Sequence, residues 1–140
     1  MKETVGRSIG MLSNLIRRHF STFSFHDTLS PAQGKTLHFI LARSMDTDVF
    51  QKDVEEEYSL RPPTATKILK DMEKNGLIRR ETVLYDARLK RIVVTEKGLQ
   101  YQGMIRESLE ETERRLTAGS TEDDLATFFR VISRMIRNMS

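Results

Sequence analysis

The residues best suited to chemistry in this chain are cations and hydroxyls gathered between Arg61 and Gly98, in the stretch RPPTATKILKDMEKNGLIRRETVLYDARLKRIVVTEKG. From Arg61 to Lys97 there are ten Lys/Arg and five Asp/Glu, while the remaining residues hold 13 and 15. The net charge of the whole chain is only +3, so the distribution carries the signal. Positive charge concentrated in one short segment is what a polyanion-binding surface requires, although a solvated basic face has the same charge. Catalysis is not expected: there is no nucleophile–base pair, glycine-rich phosphate loop or metal cluster. Cysteine is absent, which excludes disulfides, thiolate metal sites and thiol redox sensing. His19, His26 and His38 lack ligand spacing, so neither a metal nor a cofactor is expected.

These groups need elements to aim them. Ser59 to Pro62 reads as a tight turn. A helix from about Pro63 to Asn75 follows, stopped by Gly76. Ala65, Ile68, Leu69 and Met72 form its apolar face. At 100° per residue, Pro63, Lys67, Lys70 and Lys74 lie opposite, with Thr64 and Thr66 on the flanks. A helix of this length fits a major groove, where threonine can bond a base or phosphate and lysine a phosphate or guanine. Pro62 and Pro63 suit a helix start, where two N–H groups would be unsatisfied in any case. Leu77–Val83 and the β-branched Lys90–Thr95 read as strands joined by a turn over Leu84–Leu89. Asp86 and Arg88, two apart, can face one side of that turn, so the carboxylate can fix the guanidinium in one rotamer. An arginine held this way can read a narrow minor groove; the alternative is a surface ion pair of little consequence. Lys90 and Arg91 stand beside it for phosphates.

The rest of the chain reads as support. Residues 4 to 23 carry Val5, Ile9, Leu12, Ile16, Phe20 and Phe23 at helical steps. After a connection over Ser24–Leu29, Ser30-Pro31-Ala32-Gln33 predicts a capped helix that ends near Ser44. A helix from Val49 to Tyr58 has Phe50, Val54 and Tyr58 on one stripe and Asp53, Glu55, Glu56 and Glu57 elsewhere. Phosphate would repel that acidic face, which suits a supporting helix or a protein contact. Thr95 opens a helix expected to run to about Leu116. Ala118-Gly119 breaks it, and Ser120-Thr121 caps a last helix whose first turn holds three carboxylates. Leu125, Phe128, Phe129, Ile132, Ile136 and Met139 give that helix a wide apolar face. The 140 residues suit a single domain. A charged chain with long apolar-faced helices points to an oligomer. No run is long enough to span a bilayer and no leader pattern is present, so a soluble intracellular protein is expected. The fold expected is mainly α with a small β-ribbon: the second, third and fourth helices with the ribbon form a winged helix-turn-helix.

LSPAQ at Leu29–Gln33, TATKILKDMEKNGLIRR at Thr64–Arg80 and DARLKRIVVTEKG at Asp86–Gly98 occur in the order and at the spacing of one family. The chain resembles the MarR family of winged-helix transcription regulators. The resemblance implies a single MarR-like domain over 1–140. Its DNA-binding lobe would span about 30–98, and its dimerisation helices about 1–24 and 99–140. It implies a homodimer, most simply a repressor, on a palindromic operator in double-stranded DNA within the cytoplasm. Thr64, Thr66 and Lys67 match the family's recognition-helix positions, and Asp86 and Arg88 its wing-tip pair; Arg61, Lys70 and Lys90 complete the expected contacts. Pro62-Pro63 and the acidic third helix depart from the family pattern. A small aromatic or phenolic effector is also implied, with His19, Phe20, Phe23 and His38 as its expected lining. The competing reading is a winged-helix adaptor that binds protein and has no specific DNA binding.

Overall fold

The computed structural model describes residues 2–21 and 29–140. Element order is α1 (Val5–Ser21), α2 (Pro31–Ser44), α3 (Gln51–Tyr58), α4 (Pro62–Lys74), β1 (Ile78–Val83), β2 (Asp86–Val94), α5 (Glu96–Leu99), α6 (Gln102–Thr117) and α7 (Glu122–Met139). The fold is mainly α with one two-stranded antiparallel ribbon, a winged helix-turn-helix flanked by long helices at both ends.

Local chemistry explains most boundaries. Ser30 caps α2 by accepting from the Gln33 N–H at 3.2 Å. Thr121 and Asp124 close a reciprocal capping box at the start of α7, each side chain accepting the other's backbone N–H at 3.1 and 3.0 Å. Gly76 ends α4 with φ +74°, a left-handed conformation that suits glycine. Between α3 and α4 the reversal instead falls on Ser59 at φ 51°, and the Leu60 N–H returns to the Glu55 carbonyl at 2.8 Å.

The core is built where α2, α3, α4 and the ribbon converge. Phe20, Leu37, Ile40, Val54, Leu69, Met72, Leu77, Ile92, Tyr101 and Ile105 are among its buried members. Val49 is also buried, and its carbonyl accepts the Ile92 N–H at 2.7 Å, so the segment before α3 lies along the ribbon's β2 edge. The long first helix contributes little: Phe20 is buried, but Val5, Ile9 and Leu12 are exposed.

Three boundary expectations change. The helix expected from Val49 begins only at Gln51, because Val49 pairs with the ribbon instead. The helix expected to run unbroken from Thr95 to Leu116 is divided into α5 and α6 at Gln100–Tyr101. Gly98 seats the first piece against the ribbon; a Cβ there would run into the Leu77 carbonyl oxygen and lie 2.7 Å from Val94 Cγ1. Tyr101, between the two pieces, is buried in the core. The turn expected over Leu84–Leu89 is shorter, because β2 begins at Asp86 and only Leu84-Tyr85 lie between the strands.

Candidate nucleic-acid interface

Helix α4 presents one face outward. Ala65, Leu69 and Met72 are buried, while Arg61, Pro62, Pro63, Thr64, Lys67, Lys70 and Lys74 are exposed. Arg61 is the N-cap residue, and its carbonyl accepts from Thr64 N–H at 3.0 Å and Ala65 N–H at 3.2 Å. Pro62 and Pro63 occupy the first two helical positions, where a missing N–H costs nothing. The start of α4 therefore offers side chains rather than amides to an anion. Lys67 lies 3.3 Å from Asp71 in an exposed i,i+4 pair, a contact weak enough for a phosphate to replace.

Thr66 is placed differently from Thr64. It is half-buried, and its hydroxyl accepts from Gln51 Nε2 at 2.8 Å. It retains a proton to donate, but its rotamer is set from inside the molecule. Gln51 is a residue to which the sequence alone did not point. Its amide also donates to Glu55 Oε2 at 3.1 Å, and its Oε1 accepts from Arg80 Nη1 at 3.4 Å. Arg80 Nε in turn lies 3.0 Å from Glu73 Oε1. This polar network joins α3, α4 and β1, fixing the helix that would enter a groove relative to the wing. A glutamine at a helix start gives no such signal in sequence; the three elements meet only in the fold.

The wing has an irregular ladder. Pairs run from Ile78–Val94 to Thr82–Lys90, after which Val83 faces Asp86. Ala87, Arg88 and Leu89 thus have no counterpart on β1 and bulge from the ribbon. Within the bulge, one Asp86 oxygen accepts both the Arg88 backbone N–H, at 2.9 Å, and its Nε–H, at 3.3 Å. The Arg88 side chain is 91% exposed, against 29% for Asp86. Lys90 is exposed beside them. Arg91, expected to serve phosphates, is engaged elsewhere: it contacts Glu81 Oε1 at 3.0 Å and Asp48 Oδ1 at 3.5 Å. Hydrogen bonds from Arg79 first, then Arg91, hold the Glu81 carboxyl below the usual carboxylate range. Arg91 fastens the ribbon to the segment before α3.

The run Thr95-Glu96-Lys97-Gly98 also has a structural job. Thr95 Oγ1 accepts the Gly98 N–H at 3.1 Å, Thr95 N–H donates to the Leu77 carbonyl at 3.0 Å, and Lys97 Nζ donates to the Asn75 carbonyl at 2.7 Å. The run welds the wing's exit to the end of α4.

Of the expected effector lining, His19, Phe20 and His38 are among the described residues. Phe20 is fully buried under Gly34 and Leu29. His19 lies against Arg115, with Nδ1 and Nη1 3.3 Å apart, beside a cavity of about 250 Å³ between α1 and α6. His38 is half-buried on α2 and lines neither this cavity nor the next. Phe23 lies outside the described residues. A different cavity, of about 320 Å³, opens between α1, α2 and the helix-turn-helix, with Arg17, Lys35, Thr36, Tyr58, Leu60 and Ile68 on its walls. Tyr58 donates to the Lys35 carbonyl at 2.8 Å, and burial, with a smaller effect from Glu57, pushes its phenol up to about 12. Among the described residues no cluster of three or more His, Asp or Glu could hold a metal, and no helix is long and apolar enough to cross a membrane.

No protein-family model matches the chain. Solved structures do. The transcription regulator MarR from Oenococcus oeni PSU-1 is 25% identical with a TM-score of 0.84, over 96% of this chain and 99% of that one. S. aureus MepR in complex with DNA is 20% identical with a TM-score of 0.89, over 98% and 97%. An uncharacterized SlyA-like transcription regulator from Listeria monocytogenes is 22% identical with a TM-score of 0.82, over 99% and 90%. With its outward lysine face, bulged wing and flanking helices, the chain has the fold of the MarR-type winged helix-turn-helix transcription regulators over nearly its whole length.

Proposed function

We propose that the protein is a sequence-specific double-stranded DNA-binding regulator that acts in the cytoplasm as a homodimeric repressor on a palindromic operator. The observation that carries this reading is Arg88: an almost fully exposed side chain whose Nε–H is nonetheless held by the same Asp86 oxygen that accepts the Arg88 backbone N–H. Holding an exposed arginine in one direction is of use when the arginine enters a groove. Arg61, Thr64, Thr66, Lys67 and Lys70 on and before α4 serve the major groove and its phosphates, with Lys90 adding a phosphate contact from the wing. Residues 30–98 form the DNA-binding lobe, and 1–24 with 99–140 the dimerisation region. The uncovered apolar residues of α1 and α7, Val5, Ile9, Phe128, Phe129 and Ile136 among them, support a second copy as their cover. An effector, a small aromatic or phenolic acid, fits the cavity between α1 and the helix-turn-helix. Arg17 and Lys35 offer charge there, and Tyr58, Leu60 and Ile68 offer apolar wall. Filling it would change how α1 carries the α3–α4 unit and so the separation of two recognition helices.

The test is fluorescence anisotropy with a duplex selected from a random library by the wild-type protein. Arg88→Ala should weaken binding by about 1–3 kcal/mol, and log K should fall by several units per unit of log salt. Unchanged affinity removes the wing from the mechanism. Absence of salt-sensitive binding to any duplex favours a protein-binding adaptor.

A further inference from the structure

The proposed contacts leave the extreme tip of the wing unexplained. Leu84 is fully exposed, Tyr85 is 70% exposed and Leu89 is exposed beside them. Two-residue hairpin turns favour Asn-Gly or Asp-Gly, because their backbone takes positive φ. Neither Leu84 nor Tyr85 does so, and the ribbon absorbs the mismatch through the Ala87–Leu89 bulge. Turn chemistry therefore gives no reason for an aliphatic and an aromatic residue here, and burial within the chain gives none either.

The neighbours indicate what they meet. Arg88 and Lys90 are exposed on the same ribbon, so whatever approaches the tip must be anionic as well as able to accept an apolar surface. The wall of a DNA minor groove meets both conditions, since phosphates line its rim and deoxyribose carbons its inner side. Tyrosine suits that boundary, with an apolar ring and a polar end. The geometry points to Leu84 and Tyr85 as a neutral, apolar clamp on the deoxyribose wall of the groove that Arg88 enters. This assignment rests on the DNA-binding reading and adds a contact that releases no counterions.

Salt dependence separates the two kinds of contact. Full-length Tyr85→Ala, measured by anisotropy on the library-selected duplex across a salt series, should bind about five- to tenfold more weakly, the scale of leaving one aromatic ring unburied. Its log K against log salt slope should equal the wild-type slope, because no charge has been removed. Lys90→Ala should instead flatten the slope by about one, for the single phosphate that is no longer neutralised. Tyr85→Phe should retain most of the affinity, since the ring makes the contact. If Tyr85→Ala binds as wild type while Arg88→Ala weakens, the clamp is overturned and the DNA reading stands. If Tyr85→Ala flattens the slope as Lys90→Ala does, the ring only holds cations in place and the clamp is likewise overturned. If the wild type shows no salt-sensitive duplex binding, the DNA reading fails and the clamp falls with it. Both tip side chains are outside the core, so matching thermal melts by circular dichroism confirm that every variant is folded.

Discussion

Helices α4 and α7 are both amphipathic, yet they end in opposite situations. The 13 residues of α4 bury Ala65, Leu69 and Met72 against the core of the same chain. The 18 residues of α7 bury none, although Phe128, Phe129, Ile132 and Ile136 lie on one face and the first two rings pack edge to face at 5.5 Å. A strong apolar stripe shows that a face has to be covered but carries no information about which chain covers it. In α4 the cover is internal, so its other face is left free for a ligand. In α7 the chain leaves much of that face exposed, which is what the proposed dimer would cover.

The comparison can be broken most strongly through Leu69. Leu69→Ala should destabilise the fold by about 2–5 kcal/mol, the range for emptying a packed leucine site, seen as a lower urea midpoint. A loss under about 1 kcal/mol would mean that α4 is not anchored as described. Phe129→Glu should have the reverse profile. The ring is 54% exposed in the single chain, so secondary structure should persist while the dimer dissociation constant in sedimentation equilibrium rises at least about tenfold, as for loss of a buried interface aromatic. An unchanged dimer would exclude this face from the interface.

Tyr58 gives the smallest and most specific effect, at the joint between α3 and α2. Removing its hydrogen bond to Lys35 in Tyr58→Phe should cost about 1 kcal/mol at neutral pH. The phenol's pKa is raised on folding from 10.0 to about 12. The folded state therefore favours the protonated form, and that stabilisation is complete below pH 10 and lost as pH climbs from 10 towards 12. The urea midpoints of wild type and Tyr58→Phe should converge across that window. A constant gap would show that burial does not perturb Tyr58.

Much of this was legible residue by residue. Ser30-Pro31 and Thr121 marked helix starts because a side-chain oxygen three residues before an N–H is enough to cap it. Lys67, Lys70 and Lys74 marked the outward face of α4 by spacing alone. Asp86 and Arg88 were paired by their two-residue separation, although the reason they meet is a bulge rather than the expected six-residue turn. Other features had no local signature. Ser108 and Thr112 are buried on α6, with Thr112 donating to the Ser108 carbonyl at 2.8 Å, where hydroxyls would be read as surface. Arg91 resembles Lys90 in sequence, yet it serves two carboxylates from distant segments.

The chain's own order of residues determined the helices, their caps, the ribbon and the concentration of positive charge, because each depends on groups within a few residues of one another. Only the tertiary structure decided the Gln51 network that orients α4, the division of α5 from α6 and the full burial of Phe20 in the core. It also left the face of α7 uncovered. Those outcomes depend on which segments, far apart in sequence, compete for the same space, and periodicity along one helix cannot encode that.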